Sequence, residues 1–222
     1  VFAMLLLAVF WYLRISEKGP IRKAKMAPPS PFASVGRYVS QPRLRLAWMI
    51  AFARSAFWVT FFVYVPILMV EGNAGELAGG IAIAAGNAML LNNLLVTDWA
   101  RRTSLRFMIA LAFFGGAACT VATGMAGSTH AYLAGAAIVA ASFFIAMLDG
   151  LGPIPFLRAV HAHERAQMTT IYRTYLDASE LLPPFAYVFA FRLFGFSGAF
   201  WVLAALLAVT GVLCWAFLPK RM

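Results

Sequence analysis

Six long apolar runs follow a basic, proline-rich stretch, and a shorter apolar run, Val1 to Leu13, precedes it. A run of about 20 residues, at a rise of about 1.5 Å per residue, crosses a hydrocarbon core of about 30 Å. The pattern therefore predicts spanning helices over residues 48–70, 76–97, 104–126, 131–157, 167–194 and 198–218. The chain opens at Val1 inside an apolar stretch, so residues 1–13 are expected to be the end of a truncated transmembrane helix belonging to a longer protein. The expected fold class is all-α: a polytopic transmembrane helix bundle of six complete spanning helices plus one truncated helix. Residues 14–47 are expected to form a basic cytoplasmic linker, and residues 48–222 a six-helix C-terminal transmembrane domain.

The linker carries Pro20, Pro28, Pro29, Pro31 and Pro42, too many for one continuous helix. Its second half, Pro31 to Leu46, sets apolar Phe32, Val35 and Val39 among Arg37, Arg43 and Arg45, which predicts a short interfacial helix. Loop charges give the orientation, because Lys and Arg are retained on the cytoplasmic side. The linker holds eight basic residues from Arg14 to Arg45, and the next loop only Glu71 and Glu76. Arg101, Arg102 and Arg106 follow, then a loop at 127–130 without Lys or Arg, then Arg158 and Arg165. The last turn has only Arg192 at its edge and the tail ends in Lys220 and Arg221. The alternation places the linker and C-terminus in the cytoplasm, as expected of a multi-pass protein of the plasma (inner) membrane.

Composition strengthens this picture. Hydrophobic residues make up 63% of the chain and charged residues 12%, about half the usual content of a soluble domain, which excludes a water-soluble core. The net charge of +10 is spread over short loops rather than one face, so no nucleic-acid partner is expected. Cys119 and Cys214 lie inside apolar runs and read as packing residues. His161, His163 and Glu164 have poor spacing for zinc, so neither a metal site nor a cofactor is expected. The chain lacks the His-Glu-x-x-His, Gly-x-Ser-x-Gly and phosphate-loop motifs, and no catalytic residue is assigned.

The organisation resembles the major facilitator superfamily, whose two six-helix halves are joined by a long basic cytoplasmic linker. On that resemblance the chain corresponds to the end of the sixth helix, the linker and helices seven to twelve. Ser40-Gln41-Pro42-Arg43-Leu44-Arg45-Leu46-Ala47-Trp48 is similar to the start of the seventh helix. The stretch from Leu95 to Arg106, with Asp98, Arg101 and Arg102, is the counterpart of the superfamily's acidic-basic loop without its glycines. The resemblance implies a secondary active transporter of a small solute working by alternating access, with a missing N-terminal half supplying the rest of the site. It also implies a gating role for Asp98.

Ionisable residues at hydrocarbon depth are costly and usually face the bundle interior or a water-filled cavity. Arg54, Asp149, Arg173, Asp177 and Glu180 are those candidates, and Glu180 lies nearest the midplane. Arg173 and Asp177 are spaced i, i+4, and Asp177 and Glu180 i, i+3, so the three share one helix face. Asp177 is expected to pair with Arg173 or Arg54, either as a static ion pair or as part of a gate among Arg54, Asp149, Arg173 and Asp177. Glu180, with Asp149, Arg54 and Asn87, is the candidate substrate-binding or proton-coupling set. Asp149-Gly150-Leu151-Gly152-Pro153-Ile154-Pro155 and Pro183-Pro184 mark kinks beside these charges. Gly79, Gly80, Ala82, Ala84, Ala85, Gly86 and Ala88 form a small-residue packing surface, and Trp58, Thr60, Phe61, Phe62 and Tyr64 an aromatic-rich wall. The function expected is secondary active transport of a small solute by alternating access, proton-coupled and with export of amphipathic compounds as its direction, although the direction itself does not follow from the residues; the alternative is a membrane enzyme or a non-transporting scaffold or partner protein.

Overall fold

The computed structural model describes residues 31–161 and 164–219. The expected truncated helix at 1–13, the first part of the linker, His163 and the terminal Lys220 and Arg221 lie outside the described residues. The fold is an all-α polytopic helix bundle. Its helices are α1 (Pro31–Ser40), α2 (Pro42–Glu71), α3 (Glu76–Ala88), α4 (Asn93–Arg102), α5 (Leu105–Ala126), α6 (Ala131–Leu151), α7 (Ile154–Ala159), α8 (Arg165–Phe194) and α9 (Gly198–Phe217). Among the described residues five stretches are long and apolar enough to cross a membrane, and the last of them, Arg165–Phe217, contains both α8 and α9.

Prolines and glycines set most boundaries. The residue before a proline is disfavoured in helical conformation, so Gln41 is extended (φ −92°, ψ 112°) and separates α1 from α2. The interfacial helix expected over 31–46 therefore stops at Ser40, and Pro42, whose fixed φ suits a first helical turn, starts α2 six residues ahead of the expected Trp48. The helix expected over 76–97 tightens at Met89–Asn92 into a 3₁₀ turn that hands α3 on to α4. Pro153 and Pro155 carry no N–H, so the carbonyls of Asp149 and Leu151 cannot accept their usual bonds, and α6 ends at Leu151. Gly195, at φ 62° and ψ −158°, stops α8 in a backbone conformation that favours glycine, and a 3₁₀ turn at Gly195–Ser197 reverses the chain into α9, which packs back on α8.

The bundle centres on α2, which is buried on all sides from Ile50 to Phe57 except at Arg54. Phe57, Phe61, Ile109, Phe113, Ile138, Ile145, Phe200 and Leu207 belong to one continuous core among α2, α5, α6 and α9. By contrast α3 buries only Gly79, Ala82 and Gly86. A second, smaller core lies at the linker end, where Tyr38 and Leu44 meet Phe156, Val160, Met168 and Tyr172. There the Tyr38 hydroxyl donates to the Leu44 carbonyl at 3.2 Å, and Arg37 pairs with Glu164 at 2.8 Å. Burial, reinforced by neighbouring Tyr172, pushes the Tyr38 phenol well above its ordinary pKa and keeps it a donor.

Candidate functional site

At the junction of α2, α6 and α8 the polar side chains converge on one carboxylate. Arg54 Nη1 donates to Asp149 Oδ1 at 3.0 Å, and Trp58 Nε1 donates to Asp149 Oδ2 at 3.3 Å. Arg54 Nη2 donates to the Tyr175 hydroxyl at 3.1 Å, and its guanidinium lies over the Tyr175 ring, 5.7 Å from the centroid. Arg54 and Trp58 are spaced i, i+4 on α2, so one helix face presents both donors to Asp149. The pair is largely sheltered, with side-chain exposures of 15% for Arg54 and 29% for Asp149.

Helix α6 ends immediately after this carboxylate. Asp149 occupies its last turn, and the Gly152-Pro153 turn that follows leads into α7. Asn93 faces the same turn: a Cβ on Gly150 would lie 3.0 Å from Asn93 Oδ1, so the amide packs tightly over the glycine. Among the described residues Asn93 Oδ1 and Arg54 Nε are buried without a hydrogen-bond partner, an unused acceptor and an unused donor at the junction. Neighbouring Asn92 donates to the Phe143 carbonyl at 2.7 Å and ties the 3₁₀ turn to α6.

A seam of side-chain hydrogen bonds continues the junction along α2 and α8. Trp48 Nε1 donates to Thr174 Oγ1 at 3.1 Å, Ser179 Oγ donates to Ser55 Oγ at 2.8 Å, and the Thr60 and Tyr187 hydroxyls meet at 2.7 Å. Tyr175, Ser179, Pro183 and Tyr187 recur every four residues on the α2-facing side of α8. That spacing was the signal for Tyr175, which sequence reasoning missed together with the two serines and Tyr187.

The opposite side of α8 carries Arg173, Asp177 and Glu180, all exposed. Arg54 is bonded to Asp149 and Tyr175 and not to Asp177, because Asp177 lies about 200° around the helix from Tyr175 at about 100° per residue. Among the described residues Arg173 and Asp177 form no ion pair, so that expected pairing is absent too. Glu180 sits in the middle of α8, four residues before Pro184, so its backbone carbonyl lacks the usual helical donor. Asn87 and Asp98 are exposed on α3 and α4, away from the junction. The aromatic wall of α2 is divided: Thr60 and Phe61 are fully buried, whereas Phe62 is 44% exposed. No group of His, Cys, Asp and Glu able to hold a metal occurs among the described residues.

The family model of the Major Facilitator Superfamily matches residues 1–182, a stretch that includes Arg54, Asp149, Tyr175 and Glu180. No curated protein and no solved structure gives a significant match to the chain.

Proposed function

Because the chain belongs to the major facilitator superfamily of membrane transporters, we propose that it moves a small amphipathic solute by alternating access coupled to protons, with the Arg54–Asp149 pair as its internal latch. The observation that carries this reading is the convergence of Arg54, Trp58 and, through Arg54, Tyr175 on the single carboxylate of Asp149, at the end of a helix broken by Gly152-Pro153. Protonation of Asp149 removes half of the ion pair and weakens both donor contacts. Helix α6 is then released from α2 at the point where the backbone is already interrupted. A latch of this kind shifts a conformational equilibrium only by the difference between its contacts in the two states, and the pair supplies that difference.

Glu180 fits a second role, as the group that exchanges protons or binds the solute. A carboxylate in the middle of an apolar helix and on an exposed face needs water or protein polar groups opposite it. A cavity shared with a further set of helices against α8 satisfies that need. Arg173 and Asp177, on the same face toward the linker end, fit gating contacts to that further set, as does Asp98 on α4. The charge distribution supports a linker and C-terminus on the cytoplasmic side.

Proton release on adding a panel of amphipathic solutes to the purified protein tests the reading, with Asp149→Asn and Glu180→Gln beside the wild type. The expected outcome is release in the wild type and its loss in Glu180→Gln, with Asp149→Asn binding solute but no longer coupling it to pH. Release of equal size in all three proteins overturns the assignment of both carboxylates.

A further inference from the structure

We propose that the linker end of the bundle holds an anionic phospholipid, its phosphate between Arg43, Arg45 and Arg158 and an acyl chain in the groove between α2 and α9. The groove has a volume of about 700 Å³ and runs from the first turn of α2 past Leu46 and Met49 to Leu213 and Phe217 of α9. That volume lies within the roughly 300–1,000 Å³ of small-molecule sites. A second cavity of about 290 Å³ shares Arg43, Leu46 and Phe217 with it and brings in Arg158 from α7. Two adjoining cavities therefore have largely apolar floors, with Arg43 between them, Arg45 at the first and Arg158 at the second.

Three features point to an anion with an apolar tail. Arg43, Arg45 and Arg158 make no ion pair or side-chain hydrogen bond among the described residues, whereas Arg37 and Arg54 each have a carboxylate partner. The first turn of α2 carries no acidic residue and Gln41 gives it no side-chain cap, so its positive end also faces the groove mouth. Phe217, at 72% exposure, and the partly buried Leu213 and Met49 present apolar surface directly below these charges. In a spanning bundle that boundary lies at headgroup level, where basic pockets between helices take lipid phosphates. A soluble phosphate would satisfy the arginines but leave the apolar floor uncovered. The proposed lipid bridges α2, α7 and α9 near the break that follows Asp149, and it does not depend on which solute is transported.

The test is retention of lipid by the purified protein after reconstitution in nanodiscs of phosphatidylcholine with a minor share of phosphatidylglycerol, read by native mass spectrometry after detergent extraction. The wild type is expected to retain phosphatidylglycerol over phosphatidylcholine. The triple substitution Arg43→Gln, Arg45→Gln, Arg158→Gln is expected to lower that preference about 100-fold, since each basic side chain near an anionic surface is worth roughly a factor of five. The corresponding triple lysine variant should keep most of it, which separates loss of charge from loss of fold, and Arg102→Gln, at the exposed C-terminal end of α4, should leave it unchanged. Leu213→Trp, which fills the groove without touching the arginines, should also reduce retention. Equal retention of both lipids by the wild type overturns the proposal. So does an effect of Arg102→Gln equal to that of the triple variant, or displacement of the lipid by millimolar inorganic phosphate, which identifies a soluble-anion site.

Discussion

Asp149 differs from the other intramembrane carboxylates in having its partners supplied by neighbouring helices. Asp177 and Glu180 share a face of α8 with Arg173, and the spacing that suggested a local ion pair instead leaves all three on exposed surface. Asp149 is met by Arg54 and Trp58 of α2, 95 and 91 residues away in sequence. Removing one member of a sheltered pair leaves the other polar group without its partner, at a cost of about 1–3 kcal/mol. Arg54→Gln and Asp149→Asn are therefore each expected to lower thermal stability by about that amount. The double variant should be less destabilised than the sum of the two, with a coupling of about 0.5–3 kcal/mol in a double-mutant cycle. Strict additivity in thermal unfolding would show that the two side chains do not interact.

Among the elements, α2 and α8 are joined by hydroxyl and indole contacts over most of their length, and each carries proline within its span: Pro66 in α2, Pro183 and Pro184 in α8. Interhelical hydrogen bonds in membranes average about 0.6 kcal/mol, so such a seam fixes register and still permits sliding or bending. The contact between α2 and α3 is of another kind, made by the absence of side chains. A Cβ on Gly79 would lie 3.1 Å from the Pro66 Cα, and one on Gly86 would collide with the Phe61 ring. Phe61 is fully buried, so a displaced ring would press on its core neighbours. Gly86→Val is accordingly expected to destabilise the bundle by about 1–3 kcal/mol through overpacking, measured as a lower midpoint in detergent unfolding. An unchanged midpoint would mean that α3 is free to withdraw from α2.

For the whole molecule, the central question is which exposed faces meet water and which meet lipid. The α8 face with Arg173, Asp177 and Glu180 is polar, whereas α9 exposes Trp201, Val209, Val212 and Trp215. Single cysteines at 173, 177 and 180, introduced after replacing Cys119 and Cys214, are expected to react with a membrane-impermeant maleimide in at least one transport state. Cysteines at 209 and 212 are expected to stay unreactive. Labelling of both sets at equal rates would remove the distinction between a cavity face and a lipid face, and with it the proposed position of Glu180.

The sequence by itself determined the class of the molecule, because apolar run length is a direct consequence of bilayer thickness and needs no tertiary information. It also marked the break near Gly152-Pro153, since a missing backbone donor acts locally wherever the helix lies; at Pro183-Pro184, where a kink was expected, α8 runs on as one helix. It nominated Arg54 and Asp149 as costly intramembrane charges and set both in one gate with Arg173 and Asp177, without deciding which acid meets which base. Only the tertiary structure decided that Arg54 meets Asp149 and Tyr175 rather than Asp177, because helix periodicity fixes which residues share a face but not which helix that face will meet. The same reason hid Ser55, Ser179 and Tyr187, ordinary small or aromatic residues until two distant helices place their hydroxyls within hydrogen-bond reach.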